Sequence, residues 1–326
     1  MNTALEVTEI PSLGILQASL TEWQRFEQFY AHILRENIGR GQWLLHKLSG
    51  FLLRRSGKKV RPLLLLYTAK ACGQVTEASF IGAALIEILH NATLIHDDVV
   101  DKSDYRRGFF SLRALWGNRV AVLFGDWLLA QGLLLSLEHK AYKLLHYTSE
   151  AVQALAEGEL LQLKKMREAS VSLESYFEII EKKTAALFQA ACAMGAWTAE
   201  SAEEVIHTAA EMGKKIGIAF QLRDDLLDWG DSSITGKPSD ADRRQKRFTL
   251  PLLWALNQAK SQERHYLLHA PFQEVRNRLH DMGAFEYAES QLGTYVEEAK
   301  YLAQQLPHAK EVPLLQLLHV LTYRSK

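Results

Sequence analysis

Residues 94–101 read LIHDDVVD, and residues 222–228 repeat the pattern as LRDDLLD. Each stretch sets three aspartates among aliphatic residues. On a helix, positions i and i+4 share a face, and i+1 lies about 100° round it. Asp97 and Asp101 therefore project together with Asp98 beside them, and Asp224, Asp225 and Asp228 form a matching group. Leu94, Ile95, Val99 and Val100, and Leu222, Leu226 and Leu227, cover the remaining faces. A helix apolar nearly all round is a buried one, so the carboxylates are expected to line an internal cavity. Unpaired carboxylates are costly there and call for cations. Oxygen donors with no cysteine nearby favour Mg²⁺, which keeps waters and binds one or two carboxylates together with substrate phosphates. A diphosphate is the natural partner. One such motif alone would read as a solvated acidic face; two copies in apolar helices argue against that. His96-Asp97 could also be the metal pair of an HD-type phosphohydrolase. That class needs further histidine ligands, and although His90 is close, no convincing later His-Asp set follows.

Working outward, helical spacing recurs along the chain: Leu85, Ile88, Leu89 and Ala92; Ala151, Ala154 and Leu155; Tyr176, Ile179, Ile180 and Lys183. Breaks fall at Ser56-Gly57, Arg107-Gly108, Gly230-Asp231, Gly236-Lys237-Pro238 and Leu306-Pro307. Segments 57–61, 102–118 and 230–247 read as polar loops. Alternating strand patterns are hard to find and no low-complexity linker divides the chain. The expectation is one all-α domain, residues 1–326, of about ten or more helices. The 38 basic and 38 acidic residues balance, so no global field recruits nucleic acid or a membrane. Two cysteines, Cys72 and Cys192, form no disulfide framework. With no signal peptide evident, they predict a reducing, cytoplasmic setting. The longest greasy runs, such as PLLLLY at 62–67, suggest no transmembrane segment.

Cations cluster in the loops. GKKVRP at 57–62 offers Lys58, Lys59 and Arg61, and RRG at 106–108 follows the first acid motif. Lys183-Thr184 sits in IIEKKTAALF, and TGKPSDADRRQKRFTLP covers 235–251. Together they suggest two phosphate sites, one bridged by metal between the acid motifs and one of basic side chains only. The planar fork of arginine suits phosphate oxygens, which favours Arg61, Arg106 and Arg107.

These stretches, with HNATLIHDDVVDKSDYRRG, GNRVAVLFGDWLLA, EGELLQL and GIAFQLRDDLLD, occur in the order found in one family. From about residue 40 to the end, the chain resembles a trans-isoprenyl diphosphate synthase, or polyprenyl synthetase, which leaves 1–40 as an N-terminal helical extension. The resemblance implies antiparallel helices around a deep central cavity, usually in a homodimer. It implies that Asp97, Asp98, Asp101, Asp224 and Asp228, with Asp225 in the second motif's middle place, hold Mg²⁺, three ions per site with the allylic diphosphate. Arg106, Lys183 and Lys237 resemble the clamp on that diphosphate. Gly57, Lys58, Arg61, His90 and Arg107 resemble the metal-free isopentenyl diphosphate site. Thr184 and Gln221 would stand beside the reacting carbons, where oxygen dipoles steady a carbocation.

The chain departs from the family pattern in places. Asp240, Arg243 and Lys246 replace Gly, Leu and Gly, Arg247 stands where a lysine is usual, and Phe110 and Ser111 replace Pro-Thr. The implied reaction is ionisation, condensation and elimination, with segment 230–247 as a lid. A catalytically silent or regulatory subunit of a heteromeric synthase is the alternative, and a class I terpene cyclase a third. Chain length is expected to follow from the positions five and four residues before Asp97, Ala92 and Thr93, both small. With no aromatic floor there, growth should pass fifteen carbons toward a medium or long product, and Ala92→Phe should shorten it.

Overall fold

Leu85, Ile88, Leu89 and Ala92 lie along one long buried helix of the computed structural model, α5 (Glu77–Val100). The structure describes residues 12–36, 38–39, 41–55, 57–106, 109–168, 171–230 and 249–323. Before α5 come α1 (Leu13–Ser19), α2 (Trp23–Glu36), α3 (Trp43–Arg54) and α4 (Val60–Cys72). A minimal hairpin, β1 (Tyr105–Arg106) and β2 (Phe109–Phe110), leads into α6 (Leu112–Glu138), α7 (Tyr142–Glu168) and α8 (Leu173–Ile180). A π-helical turn, Glu181–Ala185, joins α8 to α9 (Ala186–Thr198), which α10 (Glu203–Asp228) follows. Then come α11 (Leu250–Gln258), α12 (Ser261–His269), α13 (Phe272–Asp281), α14 (Ala284–Ala303) and α15 (Leu314–Tyr323). The all-α expectation holds.

Local signals account for several helix starts. Ser12 and Ser111 accept the backbone N–H three residues on, while Thr76 with Ser79 and Ser172 with Ser175 form reciprocal caps. Helix α5 packs on α4, α6, α7 and α9, and α10 on α9, α14 and the π turn. The apolar faces of α1 and α2 join the same core through Leu16, Phe26, Tyr30 and Leu34.

Two boundaries differ from the sequence reading. Helix α4 starts at Val60, so Arg61 and Pro62 lie in its first turn, where a proline's missing N–H costs nothing. Helix α6 starts at Leu112, inside the segment read as loop, and is interrupted at Gly117 (φ 83°, ψ 163°). That left-handed φ suits glycine, and it falls near the end of the segment read as loop. The third expected loop, 230–247, lies outside the described residues except for Gly230.

Two helices, α5 and α6, are long and apolar enough by composition to cross a membrane, although no unbroken greasy run marks either one. In α5 the apolar window is 78% buried inside the protein; in α6 it is 44% buried. Helix α6 presents Leu123, Leu133, Leu134 and Leu137 outward.

Candidate active site

The first acid motif closes α5. Asp97 lies in its last turn, and Asp101 caps it by donating its N–H to the Asp97 carbonyl at 2.8 Å. The i,i+4 relation is thus kept just past the helix end. Burial at this end is incomplete: Asp98 is buried, whereas Val100 is exposed, contrary to the all-round burial expected of it. Burial raises the Asp97 carboxyl to about 6; the Lys183 charge pulls it down, Glu159 pushes it up, Arg106 lowers it and Asp101 raises it.

Asp98 is already engaged. Nε of Arg106 donates to both its oxygens, at 2.8 and 3.0 Å, and Nη2 lies 2.8 Å from Oδ1. The two residues assigned separately to metal and diphosphate are therefore each other's partners in this structure. The hairpin carrying Arg106 rests on α3: the Arg55 guanidinium lies between Phe51 (4.4 Å) and Phe109 (4.7 Å) and donates to the Phe110 carbonyl at 3.2 Å. Phe110 stacks on Tyr105 at 4.9 Å. The departures at 110–111 thus have local roles, Phe110 in the hairpin stack and Ser111 as the α6 cap. Arg107 lies outside the described residues.

The π turn links the two motifs. Lys183 forms an ion pair with Glu159 and donates to Gln162 Oε1 at 3.1 Å. Glu159 and Gln162, one turn apart on α7, were missed as site residues; their signal was the EGELLQL stretch. Thr184 donates to Gln221 Oε1 at 2.9 Å. A side chain at Gly158 would press on Lys182 Cβ (2.9 Å) and the Lys183 amide (3.0 Å), and one at Gly217 on Ala185 Cα (2.5 Å). These two glycines let α7 and α10 approach the π turn closely. Such turns inside α-helices are frequent at functional sites.

The second motif closes α10. Asp224 and Asp228 are partly exposed, but Asp225 is buried. Its Oδ2 accepts from Tyr176 Oη (2.6 Å) and the Leu250 N–H (2.8 Å), and its Oδ1 from Gln221 Nε2 (2.9 Å). Burial raises its pKa to about 7 against those three hydrogen bonds, which lower it, and the Asp228 charge adds to the rise. The middle aspartate accepts hydrogen bonds from three protein donors in this structure.

The metal-free cluster assembles only in part. Arg61 Nη1 lies 3.0 Å from His90 Nε2, and its guanidinium stacks on Phe188 at 4.7 Å. The Lys58 carbonyl accepts from Gln17, and Gly57 lies just before it, partly exposed. Lys59 is turned away, its ammonium 2.9 Å from Glu27 and over the Tyr30 ring. Lys237 and Arg247 lie outside the described residues. Ala92 is completely buried, whereas Thr93 keeps slight exposure and donates its hydroxyl to the His90 carbonyl at 2.9 Å. Thr93 lies four residues, hence about 40°, from Asp97, while Ala92 is turned about 140° away. Of the two chain-length candidates, only Thr93 faces the side of the acid motif.

Among the described residues, no three carboxylate, histidine or cysteine side chains converge tightly enough to hold an ion alone. The donor set is oxygen-only, and the raised pKa of Asp97 marks a carboxylate that a cation would relieve. Those features fit a hard divalent ion that takes the rest of its oxygens from a diphosphate and water.

The sequence pattern of the polyprenyl synthetase family matches residues 42–280. The octaprenyl diphosphate synthase of Escherichia coli is 32% identical over 301 residues, 89% of this chain and 93% of that protein. The geranylgeranyl diphosphate synthase of Methanosarcina mazei is 30% identical over 280 residues, 83% of this chain and 86% of its own length. The crystal structure of a polyprenyl synthase from Caulobacter crescentus, complexed with calcium and isoprenyl diphosphate, superposes with a TM-score of 0.86. It is 30% identical, and the match covers 98% of this chain and 100% of that one.

Proposed function

This chain belongs to the polyprenyl synthetase family, and from that premise we propose that it is a trans-polyprenyl diphosphate synthase, condensing an allylic diphosphate with isopentenyl diphosphate. The observation that carries the reading is the π turn, which sets Lys183 against the first acid motif and Thr184 against Gln221, one turn before the second. In this reading Asp97, Asp101, Asp224 and Asp228 hold Mg²⁺ ions, three per site, which when bound neutralise charge developing on the leaving pyrophosphate. Lys183 adds a fixed positive charge, and Arg106 supplies a bidentate fork at the same group. Arg61 and His90 hold isopentenyl diphosphate apart from the acid motifs, so that its double bond meets the allylic carbon in place. Thr184 and Gln221 present oxygen dipoles to the cation. In this reading the apolar residues of α5 and α10 beside the acid motifs limit water, which would otherwise trap the cation as an alcohol. A silent subunit has no physical need for this carboxylate set.

Thr93 leaves the path beside the first motif without an aromatic floor, which supports a product longer than fifteen carbons. The exposed leucines of α6 support a homodimer in which a second copy covers that face, since apolar patches on this scale mark interaction sites. Two free, buried cysteines support a reducing, cytoplasmic setting. The test is incubation of the purified protein with Mg²⁺, isopentenyl diphosphate and each allylic primer, with products sized by mass spectrometry. Elongated prenyl diphosphates are expected, and activity should vanish in EDTA. Primers returned unextended would overturn the reading.

A further inference from the structure

Asp225 differs from its two motif partners in every local respect. It is 4% exposed, whereas Asp224 and Asp228 are partly open, and it lies about 100° round the helix from Asp224. Its Oδ2 is held by two donors from other elements, the Tyr176 hydroxyl of α8 and the first N–H of α11 at Leu250. With Oδ2 pinned from both sides, the carboxylate has a fixed orientation. Its Oδ1 then meets Gln221, one turn earlier on α10.

Asp225 accepts at all three contacts, and as a carboxylate it has no proton to donate. Gln221 must therefore turn its Nε2 toward Asp225, which leaves Oε1 on the other side, where it accepts the Thr184 hydroxyl at 2.9 Å. Hydrogen bonds link Tyr176 and Leu250 through Asp225 and Gln221 to Thr184 without a break, every one of them donated toward Asp225. We propose that Asp225 is a positioning residue rather than a metal ligand: it sets the polarity of the Gln221 amide and so the oxygen dipoles shown to the reacting carbons. The inference rests on the prenyl-transfer reading, which places Thr184 and Gln221 beside those carbons.

Replacing Asp225 by asparagine makes the chemistry distinctive. The two donors at Oδ2 would claim the single amide oxygen of the new side chain, leaving its NH₂ facing Gln221. Gln221 would then flip, pointing Oε1 at residue 225 and its NH₂ at Thr184. The dipole would reverse while shape and the remaining acid residues stay in place.

The experiment compares wild type, Asp225→Asn, Asp224→Asn, Gln221→Met and the Asp225→Asn/Gln221→Met double variant. Steady-state kinetics is read together with calorimetric titration of Mg²⁺ and inorganic pyrophosphate. Asp225→Asn should lower kcat about ten- to a hundredfold, the weight of one hydrogen bond to a charged group, with both KM values within about twofold. Its affinity for Mg²⁺-pyrophosphate should match wild type, while Asp224→Asn should bind at least about tenfold more weakly. In the Gln221→Met background, Asp225→Asn should cost no further kcat, as expected of residues acting through one another. An affinity loss in Asp225→Asn like that of Asp224→Asn, an unchanged kcat, or additive losses in the double variant would each overturn the proposal. Should Asp225→Asn fail to fold by circular dichroism, Tyr176→Phe carries the test. It should lower kcat several-fold with unchanged Mg²⁺-pyrophosphate affinity; tighter binding would reveal a ligand released from Tyr176, and unchanged kcat would show no positioning, and either overturns it. A wild type that extends no primer defeats the prenyl-transfer reading itself, whereas an active wild type with failing variants defeats only the positioning role.

Discussion

At Asp97 the cost of burial is set against a cation that is already shared. Lys183 lowers the Asp97 pKa but is itself paired with Glu159 and held by Gln162, so burial leaves the carboxyl at about 6. A pKa raised above its unfolded value near 3.8 means that the native state binds more protons between the two values. Stability from this group is therefore lost as pH rises from about 4 to 6. The metal-free wild type should lose Tm relative to Asp97→Asn across that window, and Mg²⁺ with pyrophosphate should narrow the gap. A Tm difference that stays flat with pH would refute this. The same residue scale separates the substrates. Arg61, bonded to His90 away from the acid motifs, should matter most to isopentenyl diphosphate. Arg61→Ala is expected to raise that KM about ten- to a hundredfold and barely alter the allylic KM, with Lys183→Ala doing the reverse. Equal effects of both variants on both substrates would reject the two-site division.

The π turn is the element that brings the site together, and two glycines permit its approach. Gly217→Ala would place a methyl group 2.5 Å from Ala185 Cα, against backbone that cannot yield like a side-chain tip. Overpacking of this kind costs about 1–3 kcal/mol. It should lower Tm by several degrees and also reduce kcat, because the π turn carrying Thr184 is pushed from Gln221. Gly293→Ala on α14 meets nothing within 4 Å, and should leave kcat alone while holding or raising Tm. A Gly217→Ala enzyme with wild-type Tm and kcat would show that the close approach is dispensable. The hairpin makes a related point about legibility. RRG reads as a cationic loop, but nothing in the sequence announces that Arg55 seats itself between Phe51 and Phe109.

Across the whole molecule, product length depends on which side chains reach the space below the first motif. Thr93→Phe should shorten the product, because residue 93 shares the face of Asp97. Ala92→Phe should mainly lower Tm, because that position has no exposed surface and lies in the main core. Mass spectrometry of products and a thermal melt of each variant decide between them; a shorter product from Ala92→Phe alone would restore the original assignment. The N-terminal helices enter the same packing, since Lys59 is drawn off the cationic cluster by Glu27 and Tyr30 of α2. Distant chain thus selects which of three adjacent cations remains near the site.

Periodicity and motif chemistry alone determined the all-helical fold, the two acid motifs at helix ends and the kinds of charge around them, because helical spacing and residue type are local properties. Tertiary structure decided how those charges are spent. Asp98 goes to Arg106, Lys183 to Glu159 and Gln162, and Asp225 to Tyr176, Gln221 and Leu250. Those partners lie between four and 49 residues away in sequence. Spacing along one helix says which side chains share a face, but a hydrogen bond is won by whichever donor packing brings within about 3 Å, and that is settled only when the helices meet.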